Sequence, residues 1–167
     1  MAVIIFWIEN GTAGRIGVMP RPRGGDWLAD EVSSLHASGA EVVVSLLEKE
    51  EIAELDLGRE QELCGSRGLE YISFPIPDRD VPESKQETAR LADVLSELSA
   101  KGRDIVIHCR QGIGRSSIIA ACILTNLGVP VEEAFERITK ARGRPVPDTP
   151  EQREWVAEFV SGRARVV

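Results

Sequence analysis

The chain has 167 residues, 43% hydrophobic and 28% charged, enough apolar material for one soluble domain with a real core. A net charge of −7 argues against a general binder of nucleic acid or of anionic membranes, and no apolar run is long enough to span a bilayer. Cys64, Cys109 and Cys122 form neither a disulfide framework nor a zinc-ligand spacing, so the expectation is a monomer in the reducing cytoplasm.

Val3 to Ile8 is too short, and lacks the basic flank, for a signal peptide; it reads as a strand. Arg15 to Met19 reads as a second strand after a Gly11/Gly14 turn. Asp26 is placed to cap a helix whose apolar face is Leu28, Val32 and Leu35. Glu41 to Leu47 is a third strand, its Val42-Val43-Val44 run suited to burial on both faces. An acidic stretch and a helix ending near Gly68 follow, then a fourth strand from Leu69 to Phe74. Pro75 to Pro82 is a loop rich in proline and aspartate. Ser84 and Glu87 form a capping-box pattern ahead of the stripe Leu91, Val94, Leu95 and Leu98. Ile105 to His108 is the fifth strand. The segment after Ser116 is apolar nearly all round and should be a central, buried helix. Val131, Ala134, Phe135 and Ile138 mark another helix, and Thr149-Pro150 starts the last, with proline at the first helical position. Strands alternating with helices imply a single α/β domain with a mostly parallel sheet of about five strands.

The chemistry concentrates in His108-Cys109-Arg110-Gln111-Gly112-Ile113-Gly114-Arg115-Ser116, between the fifth strand and the buried helix. A phosphate monoester carries close to two negative charges and needs many donors and little bulk around it. Gly112 and Gly114 permit a tight curl in which the backbone N–H groups of residues 110–114 converge, and the following helix adds its positive end. Arg115 offers a planar fork to two phosphate oxygens. The same donors stabilise a thiolate at Cys109, the form that attacks phosphorus. Ser116 is placed to hydrogen-bond the sulfur and improve it as a leaving group. His108 reads as a core residue that locks the loop through bonds to backbone. A buried structural cysteine beside an unrelated glycine turn would leave the Cys-to-Arg spacing and both glycines unexplained.

These residues resemble the H-C-x5-R-[S/T] signature of the cysteine-dependent protein phosphatases, most of all the small dual-specificity group. The resemblance implies a protein-tyrosine-phosphatase-like fold and a two-step reaction through a phosphocysteine, with no metal or other cofactor. Rhodaneses also place a cysteine loop before a helix, but with a different Cys-to-Arg spacing. The family carries a general-acid aspartate on a mobile loop about thirty residues before the cysteine. Asp78 and Asp80 lie 31 and 29 residues before Cys109, and both are candidates; Asp78 matches the relatives' Pro-x-x-Asp pattern from Pro75. In several relatives a late glutamine orients the attacking water. Gln152 fits that position, and equally fits the third residue of a helix capping box. Arg142 and Arg144 could rim the site or serve as ordinary helix C-terminal charges. Cys64, in Leu63-Cys64-Gly65-Ser66-Arg67, resembles the resolving cysteine of the family's lipid phosphatase and could trap an oxidised Cys109 as a disulfide, or be a packed helix residue.

The chain has no segment for a tall recognition loop, so a shallow site for phosphotyrosine and phosphoserine/threonine in proteins is expected. Relatives that take phosphoinositides carry lysines inside the signature, where this chain has Gln111 and Ile113; Arg110 remains, with a side chain that could point outward. The alternatives are a phosphoinositide or other non-protein phosphatase, a non-catalytic phosphate-binding module and a sulfur-transfer enzyme.

Overall fold

The computed structural model describes residues 2–11 and 13–164. Its elements are β1 (Phe6–Ile8), β2 (Ile16–Pro20), α1 (Leu28–Ala37), β3 (Val42–Ser45), α2 (Lys49–Glu54), α3 (Glu60–Ser66), β4 (Glu70–Ser73), α4 (Lys85–Ala100), β5 (Ile105–Cys109), α5 (Arg115–Asn126), α6 (Val131–Arg142) and α7 (Pro150–Ala164). The five strands form one sheet in the order β1-β2-β5-β3-β4. All neighbours are parallel except β1, which runs antiparallel to β2.

Period-two alternation assigns the two faces of the central strands. Ile105, Ile107 and Cys109 of β5, with Val42 and Val44 of β3, join a large apolar cluster with α4, α5, α6 and α7. Val106 and Val43 point the other way, into a smaller cluster with Leu28, Val32 and Leu35 of α1 and Cys64 of α3. Both faces are therefore covered, as a parallel sheet requires. Helix α5 is buried from Arg115 to Leu124, as its all-round apolarity implies. Burying Ile118, Ile119, Ile123 and Leu124 stabilises the fold by about 1.5–3 kcal/mol per side chain.

Several sequence expectations shift. Only Phe6–Ile8 of the first apolar run joins the ladder; Val3 and Ile5 pack against the smaller cluster instead, and the Val3 N–H donates to Ser34 Oγ at 2.8 Å. Asp26 does not cap α1: it lies inside a 3-10 turn, Gly25–Trp27, that runs directly into the helix. The acidic stretch holds two short helices, α2 and α3. The capping box at α4 is half formed. Ser84 Oγ accepts from the Glu87 N–H at 3.0 Å, while the Glu87 carboxylate turns to Arg90.

Candidate active site

Strand β5 ends on Cys109, and the chain curls through residues 110–114 before α5 begins at Arg115. Cys109 Sγ sits at the bottom of that curl. The Gly112 N–H donates to it at 3.3 Å, and Ser116 Oγ lies 3.3 Å away. Gly112 needs to be glycine twice over. Its φ is +71°, and a Cβ there would come 2.5 Å from the Met19 carbonyl carbon. Gly114 is the N-cap of α5 and leaves the first helical N–H groups without a side-chain cap, open toward the loop. Arg142, at the end of α6, braces the curl from outside. It donates to the carbonyls of Gly112 at 3.1 Å and Gln111 at 3.2 Å, and its guanidinium stacks 4.2 Å from the Phe6 ring. With its carbonyl tied to Arg142 on the outside, Gly112 turns its N–H inward to the sulfur. Burial and the neighbouring Arg144 charge lower the basicity of Arg142, partly offset by Cys109.

Arg115 is almost fully buried and is held by a fork–fork pair with Glu51 of α2, Nη1 to Oε2 at 2.8 Å and Nη2 to Oε1 at 2.9 Å. Nη1 also donates to the Ile76 carbonyl at 2.9 Å, and Nη2 to Asp78 Oδ1 at 2.9 Å. Burial pushes the Glu51 carboxyl up, but the hydrogen bonds from Arg115, the Glu48 N–H and Arg110 outweigh it and hold the carboxyl below its ordinary value. Burial works equally against the Arg115 guanidinium, and Glu51, Cys109 and Asp78 together raise its basicity. Glu51 went unnoticed in the sequence. The signal was there: a buried arginine demands a counter-ion, and the acidic run after β3 was the nearest source.

Cys109, Gly114 and Arg115 open into one cleft with Asp78, Arg79, Arg110, Gln111 and Asp148. Residues 17–129 match the model of the family described as "Polymorphic toxin system, DSP-PTPase phosphatase". The chain belongs to that family. It is 25% identical to Cyclin-dependent kinase inhibitor 3 of Rattus norvegicus over 134 residues, 77% of this chain and 61% of the relative's length. In fold it is similar to kinase associated phosphatase (KAP) with the catalytic cysteine replaced by serine, at TM-score 0.89 and 20% identity over 98% of this chain and 97% of that one. It is also similar to Tk-PTP in its active form, at TM-score 0.73 and 27% identity over 89% and 92% of the two chains.

The remaining sequence-derived residues of this DSP-PTPase chain divide clearly. Asp78 lines the cleft, whereas Asp80 points into its own turn, Oδ1 accepting from the Val81 N–H at 2.8 Å. Arg110 turns sideways to Glu51 and Glu54, at 3.3 Å each. Ile113 buries its side chain in the larger cluster and offers the site only backbone. His108 does not bond to backbone as expected. It faces the α1/α3 side of the sheet, where Nε2 meets Glu60 Oε1 at 2.5 Å, and its Nδ1 has no partner among the described residues. Gln152 is fully buried and forms the capping box with Thr149: its Oε1 accepts from the Thr149 N–H at 3.2 Å, and its N–H donates to Thr149 Oγ1 at 3.2 Å. Its Nε2 donates to the Asp80 carbonyl at 3.0 Å. Cys64 belongs to the cluster on the opposite face from Cys109, and both thiols are free. Burial, reinforced by the Glu60 carboxylate, pushes the Cys64 thiol up to about 12. Asp148, between α6 and α7, is the second carboxylate at the cleft, and no motif in its local sequence marks it.

Proposed function

We infer that the protein hydrolyses phosphomonoesters on phosphoproteins, phosphotyrosine and phosphoserine/threonine alike, through a phosphocysteine at Cys109. The observation that carries this reading is one juxtaposition. The Cys109 sulfur accepts from the Gly112 N–H at 3.3 Å, with Ser116 Oγ at 3.3 Å and Arg115 at the wall of the same cleft as Asp78. Cys109 attacks phosphorus, and the loop N–H groups with Arg115 hold the three equatorial oxygens. These donors supply the charge that a metal would otherwise bring. Asp78 gives its proton to the leaving oxygen, and the incoming phosphate takes over the Nη2 donor that Asp78 now occupies. Ser116 then stabilises the departing thiolate when water cleaves the phosphocysteine. Gln111 and Ile113 add no cation inside the loop, which favours phosphoprotein over phosphoinositide. Three buried free thiols and a net acidic chain fit a monomer in the reducing cytoplasm; among the described residues no helix is long and apolar enough to cross a membrane.

The test is turnover of p-nitrophenyl phosphate with chelator present, followed by a panel of phosphopeptides and phosphoinositides. Wild type should turn over and Cys109→Ser should not. Binding without turnover would favour a phosphate-binding module, and thiocyanate formation from thiosulfate and cyanide a sulfur-transfer enzyme. On an aryl phosphate with a poor leaving group, Asp78→Asn should lose about 100-fold or more in kcat, and Asp80→Asn should stay near wild type.

A further inference from the structure

The cleft carries two carboxylates in different states. Asp78 is committed to Arg115 at 2.9 Å. Asp148 lines the same cleft from the loop between α6 and α7 and makes no hydrogen bond or ion pair with another described residue. Its position depends on a missing side chain: a Cβ on Gly114 would collide with Asp148 Oδ2 and come 3.0 Å from Gln152 Nε2. The Asp148 carboxylate and the Gln152 amide thus converge over Gly114, the N-cap of α5, in the cleft that holds the cysteine. The backbone that presents Asp148 is anchored on both sides, by buried Val146 and by the Thr149–Gln152 capping box. Gln152 has both amide atoms engaged, and an amide cannot take up a proton in any case.

We propose that Asp148 is a catalytic residue of the second step, the base that takes the proton of the attacking water. The assignment rests on the phosphatase reading above. In that step the water oxygen bonds to phosphorus and the P–S bond breaks. Its electron pair returns to Cys109 Sγ as thiolate, and the water proton passes to Asp148. Inorganic phosphate leaves with the new P–O bond. Neither carboxylate oxygen of Asp148 is engaged by another described residue, so both remain available to a water held in the cleft. The two steps then draw on different aspartates, one on each wall of the cleft.

Rapid-quench kinetics on p-nitrophenyl phosphate separates the steps. Asp148→Asn should release one p-nitrophenol per enzyme at the wild-type burst rate, then turn over about 100-fold more slowly. Acid-quenched samples should carry phosphate on Cys109 by mass spectrometry. Gly114→Ala, which displaces the carboxylate without removing it, should accumulate the same intermediate. Asp78→Asn should slow the first step and accumulate none. Wild-type kcat in Asp148→Asn, or a slow variant without trapped phosphocysteine, would overturn the assignment. A wild type that never hydrolyses the substrate would sink the phosphatase reading itself.

Discussion

At the level of single side chains, the signature arginine is shared between a permanent partner and a removable one. Glu51 grips Arg115 with both oxygens from inside, and Asp78 touches it from the cleft. Breaking a buried pair strands the remaining charge, so Glu51→Gln should cost about 3–5 kcal/mol in a urea titration. It should also lower kcat/KM by loosening the phosphate fork. The pH dependence has a definite sign. The Glu51 carboxyl is held below the 4.5 of an unperturbed glutamate. Its contribution is therefore full above that value and is lost as pH falls through the lower folded value. Melting temperature against pH should show a shallower acid limb in Glu51→Gln than in wild type. Gly112→Ala, forced against the Met19 backbone at a positive φ, should abolish turnover while leaving the helices intact by circular dichroism. The glycine, cysteine and arginine of the loop were legible because their roles follow from local spacing. Glu51 and Glu60 were not, because each acquires its role from a partner brought close only by the fold, and Asp148 was not because only the packing of the α6–α7 loop carries it to the cleft. Asp78 and Asp80 could not be separated by spacing alone; the direction each side chain takes distinguishes them.

At the level of elements, β5 works as a two-sided support. Its Cys109 faces α5, while its neighbour His108 faces α3 and meets Glu60 in the core. Glu60→Ala would leave a second unpaired ring nitrogen under the Cys109 loop and should destabilise the protein by about 3 kcal/mol. The type of most elements was readable from periodicity and caps, but their ends were not. Strand ends depend on where the neighbouring ladder stops, which is why the Val3–Ile8 run contributes only three residues to the sheet. Asp26 failed as a cap because the Gly24–Gly25 turn enters the helix through a 3-10 segment instead of an extended residue. The same layering sorts the thiols. Burial pushes Cys122 up to about 12, eased slightly by Arg163, and Cys64 reaches a similar value with Glu60 adding to it. Iodoacetamide at neutral pH should therefore label native protein at Cys109 alone by peptide mapping, with Cys64 and Cys122 reacting only after denaturation.

At the level of the whole molecule, the site lies at the carboxyl ends of the parallel strands, beside the central β5, where an α/β sheet leaves its crevice. A net charge of −7 opposes anionic substrates in general. At the cleft Arg110 and Arg115 are already paired with carboxylates, which leaves Arg79 as the lining cation that counters that charge locally. Raising ionic strength should accordingly increase KM for a phosphopeptide and change kcat little, measured as initial rates across a salt series. The Arg142 brace has one more consequence. The family match covers residues 17–129, which hold Glu51, Asp78, Cys109 and Arg115. Arg142, Asp148 and Gln152 fall after it, and Phe6, on which Arg142 stacks, falls before it. The groups that grasp phosphate in the proposed reaction thus lie inside the matched stretch, whereas the brace that shapes their loop is supplied from both sides of it. Substitutions outside the matched stretch can therefore change the shape of the loop without altering a side chain that lines the cleft floor.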